Sequence, residues 1–315
     1  MSVLLLGANG QLGRSFFKNG GLNRHGDVML ATRDGLLDGT IPVHTADLAD
    51  PSGLMALLDR LEPTLIVNAA AYTAVDRAED EESLATLING QALDAVGRWA
   101  ASHEALVVHY STDYVFDGEA SSPYAAEAPT APINAYGRSK LLGEQLLRAS
   151  GAAHLIFRTA WVYSAHGHNF LRSMLRLGRE RPELRIVNDQ FGTPTTTRLI
   201  VDATLAALDT WSKTPPGERD SVVGTYHVVS SGITTWHDFA TLIFQKATSA
   251  GLLPLAPRVV AIGTRDFPTP AKRPAWSVLD NSSFSQRFGF VLPDWKAGLD
   301  DVINELYVEA NGPSC

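Results

Sequence analysis

Short apolar runs alternate, over the first half of the chain, with stretches whose apolar residues recur every three or four positions. Val3–Gly7 is apolar throughout and reads as a strand buried on both faces. A helix with Phe16 and Phe17 follows Gly10–Gly13, and Val28–Thr32 reads as the next strand. Ser52–Leu61 carries Leu54, Leu57, Leu58 and Leu61 at helical spacing, ahead of the strand Thr64–Ala69. Asp76–Ser102 reads as one long helix whose acidic start (Asp76, Glu79, Asp80, Glu81, Glu82) suits the positive end of a helix dipole. The strand Ala105–Ser111, the helix Asn134–Ala149 and the strand His154–Thr159 complete the series. Such alternation predicts βαβ units, hence an α/β fold with a Rossmann-type doubly wound parallel sheet.

The rhythm breaks near residue 160. Phe170–Arg179, Arg198–Trp211 and Trp236–Ser249 read as helices and Thr225–Val229 as a strand. Ser212–Gly224 is a Pro/Gly-rich connection. Gly263–Trp276 holds Pro268, Pro270 and Pro274 and reads as an irregular loop. The expected division is a sheet domain over 1–160, rejoined by 198–211. A smaller lobe is expected from 161–197 and 212–315. The length of 315 residues agrees, at about 150 residues per domain.

Composition removes several classes of function. With 45% hydrophobic and 19% charged residues the chain has ample core material, which excludes global disorder. A net charge of -8 without a basic patch argues against nucleic-acid binding. It does not exclude a phosphorylated small molecule, because local backbone amides bind phosphate whatever the total charge. The single cysteine, Cys315, allows no intrachain disulfide and no cysteine zinc site, as suits a reducing compartment. Met1–Gly7 is too short and uncharged for a signal peptide, and no apolar run reaches the ~18–20 residues of a membrane span. The expectation is a cytoplasmic protein with no membrane partner.

Gly7, Gly10 and Gly13 form G-x-x-G-x-x-G between a strand and a helix. Gly7 allows the tight turn, Gly10 clears the approach of a pyrophosphate, and Gly13 lets helix pack closely on strand. The helix N-terminus then faces the phosphates, so the loop (Gly7, Asn9, Gly10, Gln11, Leu12, Gly13) reads as a dinucleotide site. The next strand ends Thr32-Arg33-Asp34. Arg33 can hold a ribose 2′-phosphate bidentately, which points to NADPH; Asp34 in the acidic role would point to NADH. Asp47 can accept from the adenine amino group while Leu48 packs on the ring, and Asp50 before Pro51 suits a helix N-cap.

Tyr136 and Lys140 lie four residues apart and share one helix face. An ammonium beside a phenol stabilises the phenolate and lowers a pKa otherwise near 10, which makes Tyr136 a usable acid. They follow a strand ending Tyr110-Ser111-Thr112-Asp113, at the carboxyl edge where parallel sheets carry their chemistry. Strand alternation points Ser111 away from Thr112.

Together these residues resemble the extended short-chain dehydrogenase/reductase family. Longer strings are similar to its dTDP-4-dehydrorhamnose reductase branch: Asn68–Glu79 (NAAAYTAVDRAE), Ser111–Gly118 (STDYVFDG), Arg158–Tyr163 (RTAWVY) and Asn188–Thr195 (NDQFGTPT). Thr225-Tyr226-His227, Thr234–His237 (TTWH), and Pro268–Ala271 (PTPA) with Arg273-Pro274 extend the likeness from residue 3 to about residue 300. The resemblance implies reduction of the 4-keto group of dTDP-4-dehydro-6-deoxy-L-mannose (dTDP-4-dehydrorhamnose) to dTDP-L-rhamnose by NADPH or NADH. It implies that Tyr136 protonates the developing alkoxide, that Lys140 bonds the nicotinamide ribose and tunes Tyr136, and that Thr112 bonds the same sugar oxygen. Ala69, Ala70, Ala71, Tyr72 and Tyr110 would border the cofactor. Asp113, Trp161, Asn188, Gln190 and Arg273 would meet the substrate, Arg273 at its diphosphate, which makes the smaller lobe the substrate-binding one.

Two other readings share these motifs. One is a different sugar-nucleotide enzyme of the family, an epimerase or dehydratase. A dehydratase would want further carboxylates beside the threonine, whereas Asp113 is followed by Tyr114. The other is a non-catalytic NADP-binding subunit resembling that of methionine adenosyltransferase. The resemblance is compatible with a homodimer. Some family members use Mg2+, but no ligands for it can be placed: Arg14 follows the glycine loop, Glu79–Glu82 reads as a solvated helix face, and the nine histidines show no ligand spacing. His166 and His168 read as polar loop residues.

Overall fold

Ser2–Leu6 (β1) buries both of its faces, Val3 and Leu5 in one core cluster, Leu4 and Leu6 in another. That double burial is what an uninterrupted apolar strand requires of its neighbours. A computed structural model describes residues 1–312, so Cys315 lies outside the described residues. Seven strands form the main sheet. They are β1, β2 (Asp27–Thr32), β3 (His44–Thr45), β4 (Leu65–Asn68), β5 (Leu106–Thr112), β6 (His154–Thr159) and one more from later in the chain. A two-stranded parallel sheet, β7 (Glu183–Val187) and β9 (Arg258–Ile262), lies in the other lobe. Between them in sequence comes β8 (Gly224–His227), the seventh strand of the main sheet.

The main sheet runs β8-β6-β5-β4-β1-β2-β3, parallel throughout. From β1 the chain steps outward to β2 and β3, then returns to β4 on the other side of β1. That reversal is a topological switch point, where a crevice opens at the carboxyl ends of the strands. Helices α1 (Gln11–Asn19), α2 (Pro51–Leu61), α3 (Ala92–Ser102) and α4 (Ala135–Ala149) cover the sheet. Asp50 caps α2 by accepting from the Gly53 N–H, with Pro51 in the first turn, as its sequence position suggests.

The second lobe has its own core. Helices α5 (Phe170–Glu180) and α7 (Trp236–Ser249) pack there with β7, Leu171, Met174, Phe239 and Phe244 among the buried residues. Helix α6 (Thr197–Lys213) instead sends Ile200, Val201 and Leu205 into the core of the main sheet. Two more helices follow, the short α8 (Ser282–Phe288) and the 17-residue α9 (Trp295–Asn311). Among the described residues, no helix is long and apolar enough to cross a membrane.

Two expectations need correction. The block 212–315 does not stay in the smaller lobe. β8 pairs with β6, and Phe284 and Phe288 of α8 pack with Phe157 and Tyr226 against the main sheet. An edge strand with an open hydrogen-bonding side recruits the next extended segment, wherever it lies in the chain. Asp76–Ser102 is also not one helix. Arg77–Glu79 is a 3-10 turn, an α-helical turn spans Glu82–Thr86, and Leu87–Gln91 is a π-helical turn leading into α3. The wide turn lets the buried Asn89 side chain bond the backbone N–H and C=O of Tyr72 at 2.9 and 3.0 Å and the Ser139 hydroxyl at 2.9 Å.

Candidate active site

A cleft of about 1710 Å³ runs along the carboxyl ends of β1, β2, β4 and β5 and on between the lobes. Pockets for a single small ligand span roughly 300–1,000 Å³, so this cleft has room for two extended ligands. Its floor begins at Gly7, whose φ of 79° turns the chain sharply and whose Cβ, if present, would sit 2.7 Å from the Ala70 nitrogen. A Cβ on Gly13 would collide with the Gly7 carbonyl, so this glycine serves helix-on-strand packing and does not line the cleft. Helix α1 starts at Gly10 without a side-chain cap. The helices α2, α4, α5, α6, α7 and α9 all have one. The uncapped N–H groups of α1 border the cleft at Gly10, Gln11 and Leu12, and such a terminus suits an anion. The cradle therefore fits the pyrophosphate of a dinucleotide.

Side chains of the loop hold its surroundings. Asn9 donates to the Leu36 carbonyl at 2.7 Å and accepts from the Asp38 N–H at 3.0 Å. Gln11 reaches the second lobe, donating to the His168 carbonyl at 3.2 Å and accepting from Asn169 at 2.8 Å. Thr32, Arg33, Asp47 and Leu48 border one end of the cleft and Ala69, Ala70 and Ala71 its middle. Arg33 is exposed on the rim, whereas Asp34 accepts from the Thr32 hydroxyl at 2.9 Å and the Leu36 N–H at 3.3 Å. Those bonds hold the Asp34 carboxyl below the usual range and turn it toward its own loop. The Asp47 carboxylate accepts from the Ala49 N–H at 2.9 Å.

Thr112, Asp113, Tyr136 and Lys140 meet at the end of β5. Asn134 places α4 there, capping it through the Gly137 N–H at 2.8 Å, while Glu79 accepts from the Ala135 N–H at 2.8 Å. Ser111 faces the other way and donates to Glu144 at 2.5 Å; Glu144 in turn holds Arg158 in a buried pair at 2.7 Å. Thr112 donates to Asp113 at 2.9 Å. The second Asp113 oxygen is buried without a partner. Burial pushes the Asp113 carboxyl up to about 6 against the hydrogen bond from Thr112.

The expected effect of Lys140 on Tyr136 is not seen in this arrangement. Burial, with the Asp113 charge beside it, pushes the Tyr136 phenol upward, and only the Thr112 hydroxyl opposes. Lys140 donates to the Tyr110 carbonyl at 2.6 Å and meets His109 at 3.2 Å. Buried there, it is pushed down to about 7 against the pull of Glu144, so at neutral pH it is only partly charged.

Trp161 borders the cleft half-buried, with a left-handed φ of 47° that a bulky residue adopts only under constraint. Its indole stacks on Trp236 at 3.6 Å and 8°, and a Cβ on Gly192 would strike it. Gln190 borders the cleft and donates to Thr264 at 3.1 Å. Arg273 also borders it, paired with Asp76 at 2.8 Å and donating to the Tyr114 hydroxyl at 3.3 Å.

A profile of the RmlD substrate binding domain family matches residues 1–308. The dTDP-4-dehydrorhamnose reductase of Burkholderia thailandensis is 45% identical over 311 residues, covering 97% of this chain and 99% of the relative. That of Escherichia coli K12 is 42% identical over 311 residues and 98% of each chain. The chain belongs to the dTDP-4-dehydrorhamnose reductase family. It is an oxidoreductase. Among solved structures of the family, the reductase of Clostridium acetobutylicum superposes with a TM-score of 0.85 at 35% identity, over 97% of this chain and 99% of its own. The Bacillus anthracis reductase in complex with NADP does so at 0.81 and 32%, over 96% and 99%.

Three residues expected at the site of a dTDP-4-dehydrorhamnose reductase lie outside the cleft lining: Gly13, Tyr72 and Asn188. Tyr72 turns its hydroxyl to Glu81 at 2.7 Å, and Asn188 is exposed with its N–H on the Ile262 carbonyl at 3.0 Å. Tyr110 borders the cleft but commits its ring to the core, its hydroxyl sharing a hydrogen bond with Thr204 at 2.9 Å. The acidic run is exposed at Glu79, Asp80 and Glu82, as a solvated face would be, and three of its carboxylates also hold partners. Glu79 caps α4, Glu81 binds Tyr72 and Arg77, and Glu82 binds Arg138 at 2.7 Å. Sequence reasoning missed the far wall, where Phe170, Met174, Arg185, Val187, Trp236 and Phe267 border the cleft. The alternation of Leu184, Arg185, Ile186 and Val187 was the available signal for that strand. His166, Glu305 and Glu309 come together at the surface, where Lys18 contacts His166 and lies 3.9 Å from Glu305. An ammonium thus already stands where a cation would.

Proposed function

We propose that this chain reduces the 4-keto group of dTDP-4-dehydrorhamnose to dTDP-L-rhamnose, with NADPH as the preferred hydride source. The observation that carries the reading is the meeting of Thr112, Tyr136 and Lys140 in a cleft with room for two ligands, beside an uncapped helix N-terminus. Its relatives' names support the substrate, and the exposed Arg33 on the rim supports a 2′-phosphate. A bound reduced nicotinamide supplies the hydride. Tyr136 gives its proton to the oxygen developing charge at sugar C4, and Thr112 orients that oxygen. Lys140 sits one turn along α4 to bind a ribose hydroxyl and, once protonated in the filled cleft, to stabilise the phenolate that Tyr136 leaves behind. The unpartnered Asp113 oxygen accepts from a sugar hydroxyl, Trp161 presents its indole to the sugar, Gln190 lines the sugar end, and Arg273 serves the diphosphate.

Tyr136→Phe keeps the ring and removes the proton. It is expected to lower turnover by about 10²–10⁴-fold, while NADPH binding, read by fluorescence titration, stays within about twofold. Full activity in this variant would remove Tyr136 from the role of acid.

A further inference from the structure

Three buried side chains beneath the Tyr136 helix join two backbone groups in one hydrogen-bonded chain. The Ala70 N–H donates to Asn68 Oδ1 at 3.1 Å. Asn68 Nδ2 lies 3.2 Å from His109 Nδ1, and His109 Nε2 lies 3.2 Å from Lys140 Nζ. Lys140 donates onward to the Tyr110 carbonyl at 2.6 Å. Asn68, His109 and Lys140 are 1%, 0% and 2% exposed, so no solvent relaxes the polarity of the chain.

That polarity is fixed at one end. A backbone N–H can only donate, so the oxygen of Asn68 must face Ala70 and its NH2 must face His109. His109 Nδ1 is then an acceptor, and the one ring proton of a neutral imidazole sits on Nε2. Burial holds His109 well below its usual range, so the ring is neutral. An Nε2–H pointing at Lys140 finds an acceptor only if the lysine nitrogen carries a lone pair. An ammonium there would set donor against donor in a dry site.

We infer that His109 is a positioning residue for Lys140: as the Nε2–H tautomer, fixed through Asn68 and the Ala70 N–H, it donates to the lysine nitrogen and selects the neutral amine. The charged groups around Lys140 are consistent with this. Glu144, on its own helix, would favour the ammonium, but Arg158 from β6 and Arg148 take up that carboxylate, and Ser111 donates to it. Tyr136 lies one turn away, and the Tyr110 ring is turned into the core. Two anionic ligands in the cleft would raise the lysine's proton affinity, so Lys140 takes up a proton as the cleft fills, and His109 sets the pH at which it does so.

The inference rests on the place of Lys140 in the proposed reductase site, but its test reads the protein alone. Protein carrying 15N-histidine and 13Cε-lysine is examined by NMR without added cofactor. His109 is assigned by its loss in His109→Phe, and Lys140 by its loss in Lys140→Arg. The expected results at pH 7 are a protonated Nε2 and a bare Nδ1 on His109, with Lys140 titrating between about pH 6 and 8. His109→Phe is expected to raise the lysine midpoint by about one pH unit or more. An Nδ1–H tautomer, or a Lys140 that stays an ammonium through pH 9, overturns the inference even if His109→Phe does not fold. Failure of the reductase reading would show separately, as absence of turnover in the wild type.

Discussion

Asp113 sits beside the proposed proton donor and holds its charge at a cost. Its carboxyl is raised to about 6, so the folded protein binds its proton more tightly than the unfolded chain does. Stability on this account is retained at low pH and falls as pH rises from the ordinary carboxylate range through about 6. Asp113→Asn removes that loss, and above pH 7 the variant is expected to be more stable by up to about 3 kcal/mol. The advantage should vanish near pH 4. Urea midpoints at the two pH values check this, and an equal advantage at both would contradict it. Arg33 tests cofactor choice at the same scale. Arg33→Ala removes charge-assisted bonds worth about 1.5–3 kcal/mol, so NADPH binding should weaken about 10–100-fold and NADH binding hardly at all. Titration with each dinucleotide decides, and equal weakening of both rejects the 2′-phosphate role.

Elements with continuous patterns were legible from the sequence, and those ordered by distant contacts were not. Val3–Leu6 is an apolar run and His154–Thr159 is built on the apolar Leu155–Phe157, both read as strands, and Trp236–Ser249 reads as a helix that the structure keeps. The glycine loop and the Tyr136/Lys140 pair were visible because each is local. The run Asp76–Ser102 was misread because its start is organised from outside: Glu79 is held by the Ala135 N–H and Asn89 by the Tyr72 backbone. Likewise β8 is decided by an open edge at β6, whose residues it pairs with at a separation of 69 positions. The His109 chain joins strands through Asn68 and Ala70, and no spacing rule announces it. The strained Trp161 depends on Gly192 from another element, where a Cβ would lie 2.6 Å from an indole carbon. Gly192→Ala should push the indole off its seat, at about 1–3 kcal/mol of overpacking, and raise KM for the sugar nucleotide about tenfold. Unchanged KM alongside unchanged NADPH affinity would mean that Trp161 does not meet the sugar.

At the scale of the molecule, the two lobes are interleaved in sequence. Helix α6, strand β8 and helix α8 return to the main sheet after the chain has entered the second lobe, so the cleft is walled by segments from both halves. This interleaving places a large cleft at the switch point of an acidic protein, where on the proposed function backbone N–H groups and single arginines, and not net charge, would meet the anions. The most direct test of the account follows NADPH absorbance as purified dTDP-4-dehydrorhamnose is added to the wild-type protein. The account predicts oxidation of one NADPH for each keto sugar consumed, with dTDP-L-rhamnose as the product. No loss of absorbance with the authentic keto sugar, from a folded protein that binds NADPH, would contradict it.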